Sequence, residues 1–168
     1  MQNIFNLSSR FSYRLNWLTE RLCALLVVLM VLDVWVGILS RYAVDLQITW
    51  TEELARYLMI WASLLAVSCG VYYREHVGLM LVLEALPRRV HYATRLLIDL
   101  LGLGFFLILC YYGINLSSEG GSQYATIFNM TMTLPYAAVP VSAALGALQM
   151  LLVSVRDFSA LTVREVAQ

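Results

Sequence analysis

The chain has 168 residues, of which 61% are hydrophobic and only 13% charged. A water-soluble domain carries about a quarter of its residues as charges, so this composition excludes one and indicates a membrane protein. Eleven arginines balance eleven acids, with no lysine and zero net charge, and a chain without a basic field is not a nucleic-acid binder.

In chain order, an N-terminal arm comes first. Ile4, Leu7, Phe11, Leu15 and Leu18 recur at helical spacing, while Arg10, Arg14 and Arg21 cluster on another face. This pattern predicts an interfacial helix over residues 4–18, lying on a membrane surface. Four runs then approach the ~20 apolar residues a spanning helix needs. They fall at residues 22–40, 52–73, 95–116 and 134–155. The first, LCALLVVLMVLDVWVGIL, contains Asp33; no small-residue cleavage site follows it, so it reads as an uncleaved span rather than a signal peptide. The second enters through WTEELARYLMIW and carries Arg56 a turn inside. Between the second and third runs, HVGLMLVLEALP (residues 76–87) is too short to span and predicts a second interfacial helix stopped by Pro87. The third run has Asp99 near its start, four residues after Arg95. The fourth has no charge, and its Pro135 and Pro140 sit in opening turns, where proline is tolerated. The expected fold is an all-α integral membrane protein: one membrane domain over residues 1–168, with four transmembrane helices plus interfacial amphipathic helices.

Arginine placement predicts orientation. Arg10, Arg14 and Arg21 precede the first span; Arg74, Arg88, Arg89 and Arg95 lie between the second and third; Arg156 and Arg164 follow the fourth. The other side has Arg41 alone, since Arg56 lies within the second span and the loop from Ser117 to Thr133 has none. Both termini are therefore expected in the cytoplasm.

The entry to the second span is where charge collects. Thr49 and Glu52 have capping-box spacing, and Glu52 and Glu53 would sit at the positive end of the helix dipole. Glu52 precedes Arg56 by four residues, in the favourable order for an ion pair. An arginine inside a bilayer is costly unless paired, and Asp33 of the first span is a second candidate partner at similar depth. Trp50 and Tyr57 suit an interfacial aromatic belt, whereas Trp61 lies deeper and is expected to pack on another helix. Arg95 is the expected partner of Asp99. Small residues at four-residue spacing, Ala62, Ala66 and Gly70 in the second span and Ala138, Ser142 and Gly146 in the fourth, indicate close helix association. Cys23, Cys69 and Cys110 all fall in apolar runs and read as free buried thiols. No span is broken at mid-depth like a transporter's binding site, and His76 and His91 are not mid-membrane, so neither a cofactor nor a metal is expected.

The order of these motifs resembles the small membrane subunit of tripartite ATP-independent periplasmic (TRAP) transporters. WTEELARY enters the second span, Trp61 follows, Arg74, Glu75, His76 and Val77 stand at its inner end, and Leu86-Pro87 come next. Arg41-Tyr42 closes the first span and LPYAAVP opens the fourth. Two positions depart from the pattern, Ala66 and Arg74, where the family tends to have glycine. The resemblance implies a multi-pass protein of the bacterial inner membrane. Its implied partners are a large multi-span subunit that carries the substrate and sodium sites, a periplasmic substrate-binding protein, and membrane lipids. It further implies sodium-driven uptake of an organic acid, with this subunit bracing the large one, and no enzymatic activity. On that reading Trp50, Glu52, Glu53, Arg56, Asp33, Trp61, Arg74, Glu75 and His76 are candidate subunit-interface residues or structural ion pairs. Two other readings compete. A small proton-coupled exporter would use Asp33 as its intramembrane carboxylate, and a membrane anchor of a respiratory enzyme would need mid-span histidines.

Overall fold

The computed structural model describes residues 2–43, 46, 48–73 and 88–166, and is helical nearly throughout. Helix α1 runs from Gln2 to Tyr42, α2 from Trp50 to Tyr73, and α3 from Arg88 to Glu119. A single 3-10 turn, Gly120–Ser122, leads into a loop; a short helix α4, Thr133–Tyr136, and a long α5, Ala138–Val166, complete the chain. Among the described residues, four stretches are long and apolar enough to cross a membrane: Leu7–Tyr42, Trp50–Tyr73, Thr94–Ser122 and Thr133–Asp157. The all-α membrane fold expected from the sequence is therefore the one observed. The second expected interfacial helix, residues 76–87, lies outside the described residues, as do Arg74, Glu75 and His76.

The arm and first span differ from expectation. They are one uninterrupted helix of 41 residues, not a surface helix followed by a separate span. The junction, NWLTERLC, contains no glycine or proline to break the hydrogen-bond ladder, so the helix continues through it. The opposite case is the start of the last span. Pro140 has no N–H to donate to the carbonyl of Tyr136, and the helix divides there into α4 and α5.

Helices α2 and α5 form the centre. α2 packs on α1 and α5, and α5 packs on α1, α2 and α3, while α1 and α3 flank the pair without touching each other among the described residues. The core is Val71 of α2, Phe106 of α3, and Ala143, Ala147 and Met150 of α5. The small-residue ridge of the last span works inside the chain: Ala138, Ser142 and Gly146 are all buried. A Cβ on Gly146 would lie 2.7 Å from the ring of Phe106, and one on Gly113 would lie 3.0 Å from the backbone nitrogen of Pro140. These two glycines let α3 approach α5 closely, the packing on which helix association in lipid depends. The ridge of α2 divides. Ala62 is buried, but Ala66 is exposed and a Cβ on Gly70 would meet nothing within 4 Å.

Candidate functional site

Two polar constellations mark the ends of the bundle, and they are built differently. At the loop end, the segment after α1 folds on itself: Leu46 N donates to Ser40 O at 2.9 Å, and the Ser40 hydroxyl donates to Leu46 O. This brings the end of α1 beside the start of α2, where Arg41 reaches Glu52 at 3.4 Å. The expected capping box and the Glu52–Arg56 pair are not formed. The Thr49 hydroxyl makes no hydrogen bond among the described residues, and Glu52 turns across the loop to Arg41 rather than along its own helix. Both partners of that bridge are about two-thirds exposed on their side chains (66% and 72%), so it contributes little to stability.

Glu53 is the organising residue there. It is buried, accepts the Tyr57 hydroxyl from one turn along α2, and accepts the backbone N–H of Ile127 at 3.0 Å. Ile127 belongs to a tight reversal in which Ala125 N donates to Met130 O at 2.8 Å and Met132 N donates to Gln123 O at 2.9 Å. Asn129 takes a positive φ of 52° within it, a conformation asparagine tolerates. Glu53 therefore ties the loop before α4 to the first turn of α2, and the Tyr57 hydroxyl, 3.6 Å from Met132 Sδ, closes the arrangement. The four-residue spacing of Glu53 and Tyr57 was the signal available in the sequence; the loop amide was not. Beside this knot a groove of about 730 Å³ opens between α1 and α2, lined by Gly37, Ile38, Arg41, Leu46, Glu52 and Ile127 among others.

Asp33 and Arg56 are placed apart in character. Asp33 is 7% exposed, and neither carboxylate oxygen has a hydrogen-bond partner among the described residues. The polar group facing it is the α2 backbone at Ala55, not in hydrogen-bonding geometry. Arg56 is exposed and forms no ion pair among the described residues. Trp50 is exposed, and Trp61 is half-buried. Removing the charge of Asp33 should therefore cost nothing: Asp33→Asn is expected to leave the melting temperature of the purified chain equal or higher, since an unpaired buried charge is a liability. Combined with Arg56→Gln, its effect should add to within about 0.5 kcal/mol. Coupling larger than that in a double-mutant cycle would show that the two residues are paired after all.

The terminal end is held by polar contacts between helices that sequence reasoning missed. Gln149 of α5, fully buried, donates through Nε2 to Ser12 Oγ at 2.8 Å and to Ser12 O at 3.3 Å. Asn16 Nδ2 donates to Tyr73 OH at 3.4 Å, and that hydroxyl donates to Glu20 Oε2 at 3.4 Å. Ser8, Ser12, Asn16 and Thr19 thus form a buried polar seam along the arm, legible as small polar residues at helical spacing. Arg95, expected beside Asp99 on its own helix, reaches Asp157 of α5, which also accepts from Arg156 Nε at 3.0 Å. Asp99 accepts the Ser154 hydroxyl at 2.9 Å. The cysteines are free and half-buried; Cys23 and Cys110 point their thiols at the carbonyls of Ala62 and Pro140, each at 3.7 Å.

A helical bundle with four stretches able to span a membrane, tied at each end by polar contacts, defines an all-α multi-pass membrane protein. The profile of the DctQ component of tripartite ATP-independent periplasmic transporters matches residues 30–160, and the chain belongs to that family. It is a transporter component. The chain is 27% identical over 126 residues to a putative TRAP transporter small permease protein of Haemophilus influenzae, covering 75% of this chain and 73% of that one. It is 26% identical over 108 residues to the sialic acid TRAP transporter permease protein SiaT of Haemophilus influenzae, covering 64% of this chain but only 18% of that protein. It is 27% identical over 104 residues to the isethionate TRAP transporter permease protein DctMQ of Oleidesulfovibrio alaskensis, covering 61% of this chain and 16% of that one. The chain thus spans less than a fifth of the length of the two longer relatives.

Proposed function

We propose that this chain is the small permease subunit of a sodium-driven transporter for uptake of an organic acid, and that it braces a large membrane subunit instead of binding substrate. The observation that carries this reading is the outward face of α2. Glu52, Arg56, Met59, Ser63, Ala66, Gly70 and Tyr73 follow one another at alternating steps of four and three residues, the seam spacing of paired helices. No other described part of the chain covers them, apart from the reach of Arg41 to Glu52, the hydrogen bonds of Asn16 and Glu20 to the Tyr73 hydroxyl, and partial cover at Gly70. Small residues let a second helix approach there, and Arg56, exposed a turn inside the span, requires a partner that lipid does not provide. The two longer relatives support the same division: a sequence like this one occupies a small share of a permease that is far larger.

On this reading the arginine distribution places both termini in the cytoplasm of a bacterial inner membrane. The loop end, with Trp50, Glu52, Glu53 and the adjoining groove, then faces a periplasmic substrate-binding protein. Arg74, Glu75 and His76 lie at the cytoplasmic end of the second span, and Asp33 and Trp61 serve packing between spans. The names of two relatives specify sialic acid and isethionate, both organic acids, and these are the first cargoes to try. Vesicles holding this chain, the large membrane subunit it is proposed to brace, or both are supplied with binding protein and a sodium gradient. Uptake is expected only with both. Uptake by this chain alone would sink the proposal and favour the exporter reading, in which Asp33 is the working carboxylate.

A further inference from the structure

The arm of α1 carries three arginines that form no ion pair among the described residues. Taking the helix at about 100° per residue, the buried seam of Ser8, Ser12, Asn16 and Thr19 defines the side that faces α2 and α5. Arg10, Arg14 and Arg21 fall on the side diametrically opposite, all exposed and without an ion pair among the described residues. One flank between these two sides is apolar: Leu7, Phe11 and Leu18 are 73%, 54% and 52% exposed. The other flank carries Tyr13, Trp17 and Glu20.

The contact between Ser12 and Gln149 fixes the depth. Gln149 lies eight residues before Asp157, the last residue of the fourth spanning stretch, or about 12 Å inside it at helical rise. Ser12 thus packs about two turns inside the end of that stretch, while Asn16 and Glu20 meet Tyr73 at the last residue of the second, so the arm crosses the terminal end of the bundle. A straight helix of 41 residues is about 60 Å long, twice the ~30 Å hydrocarbon layer. The arm therefore runs obliquely through the leaflet on the side of the termini.

We propose that Arg10, Arg14 and Arg21 form a binding stripe for anionic phospholipid headgroups. Arg10 and Arg14 are one turn apart and present a pair of guanidinium groups to one phosphate region; Arg21 lies two turns further on. Its guanidinium stacks over the Trp17 ring at 4.1 Å from the centroid, which orients the group while leaving its N–H edge open to a phosphate oxygen. The flanking Leu7, Phe11 and Leu18 receive the acyl chains of the same lipids. The stripe holds the arm at the surface, and through the Gln149–Ser12 bond it steadies the last span. This does not depend on which side of the membrane the termini occupy, nor on the bracing role.

The test uses the full chain in nanodiscs of phosphatidylcholine with increasing phosphatidylglycerol, read by quenching of tryptophan with bromine-labelled lipid of either headgroup. The wild type is expected to enrich phosphatidylglycerol around Trp17, and to lose the enrichment as salt is raised. Each Arg→Gln change should reduce it roughly fivefold, and the triple variant about a hundredfold. The corresponding Arg→Lys triple should keep most of it, and Arg41→Gln, at the opposite end, all of it. Equal quenching by the two lipids in the wild type, which requires no variant to fold, would overturn the proposal. So would a glutamine triple that keeps its lipid preference but loses the large subunit, which would make the stripe a protein contact.

Discussion

Glu53→Ala is expected to release the loop between α3 and α4 without unfolding the bundle. Glu53 accepts from two donors, the Tyr57 hydroxyl and the Ile127 amide, and it is the only described side chain of α2 that hydrogen-bonds the backbone of that loop. A carboxylate accepting a backbone N–H makes a charge-assisted bond, stronger than its neutral counterpart. Its loss leaves the Ile127 amide to exchange with solvent. Hydrogen exchange at residues 124–131 should speed up by about one to two orders of magnitude, while exchange in α5 should not change. Glu53→Gln keeps one acceptor oxygen and should fall between. Tyr57→Phe removes a donor but leaves the Ile127 contact, so it should have a smaller effect on the loop than either. Unchanged exchange in Glu53→Ala would mean that the internal bonds of the reversal, Ala125 to Met130 and Met132 to Gln123, hold it unaided. If the loop end faces a binding protein, the alanine variant should also raise the binding-protein concentration needed for half-maximal uptake.

What could be read from the sequence was whatever hydropathy alone decides. Four apolar runs gave four helices because a bilayer leaves a spanning backbone no alternative to internal hydrogen bonds. The ridge Ala138, Ser142 and Gly146 was legible for the same reason, since small residues at four-residue spacing have one use in lipid. Ion-pair choice was not legible. Glu52 had Arg56 one turn away in its own helix and Arg41 eleven residues back; only the closure of the intervening loop on Ser40 decides for Arg41. Arg95 likewise had Asp99 on its own helix and Asp157 at a distance of 62 residues in the chain. Antiparallel packing of α3 on α5 brings Asp157 to it. Local spacing ranks the nearest partner first, whereas a packed bundle also offers partners across helices. The arm was misjudged for another reason. Its apolar stripe and its arginines were both seen, but its third side, the seam of Ser8, Ser12, Asn16 and Thr19, acquires meaning only beside Gln149, the one amide in an otherwise uncharged span.

Filling the outward face of α2 is expected to separate the subunit from its large partner while leaving the chain itself intact. Ala66→Phe with Gly70→Phe is the decisive variant. Ala66 is exposed and a Cβ on Gly70 meets nothing within 4 Å, so within this chain neither side chain starts against a neighbour. A helix seated on the stripe would be pushed outward at both positions. Contacts between helices in membranes measure about 0.6–2 kcal/mol each; losing two well-packed ones, with the clash added, should weaken association about a hundredfold. Co-purification with the tagged large subunit reads the loss, and size-exclusion elution with helicity of the chain alone reads its integrity. Gly146→Val supplies the contrast. Its side chain would enter the ring of Phe106, approached to 2.7 Å already by a Cβ, so it should destabilise the isolated chain and lower association only as a consequence. Arg56→Leu separates charge from shape on the same face: it should weaken assembly if an acidic group of the partner meets it, and strengthen insertion if lipid does. Should the double phenylalanine variant bind the large subunit as tightly as the wild type, α2 faces lipid, and the contact must lie on α1 or α3. Both of those helices also expose most of their apolar surface.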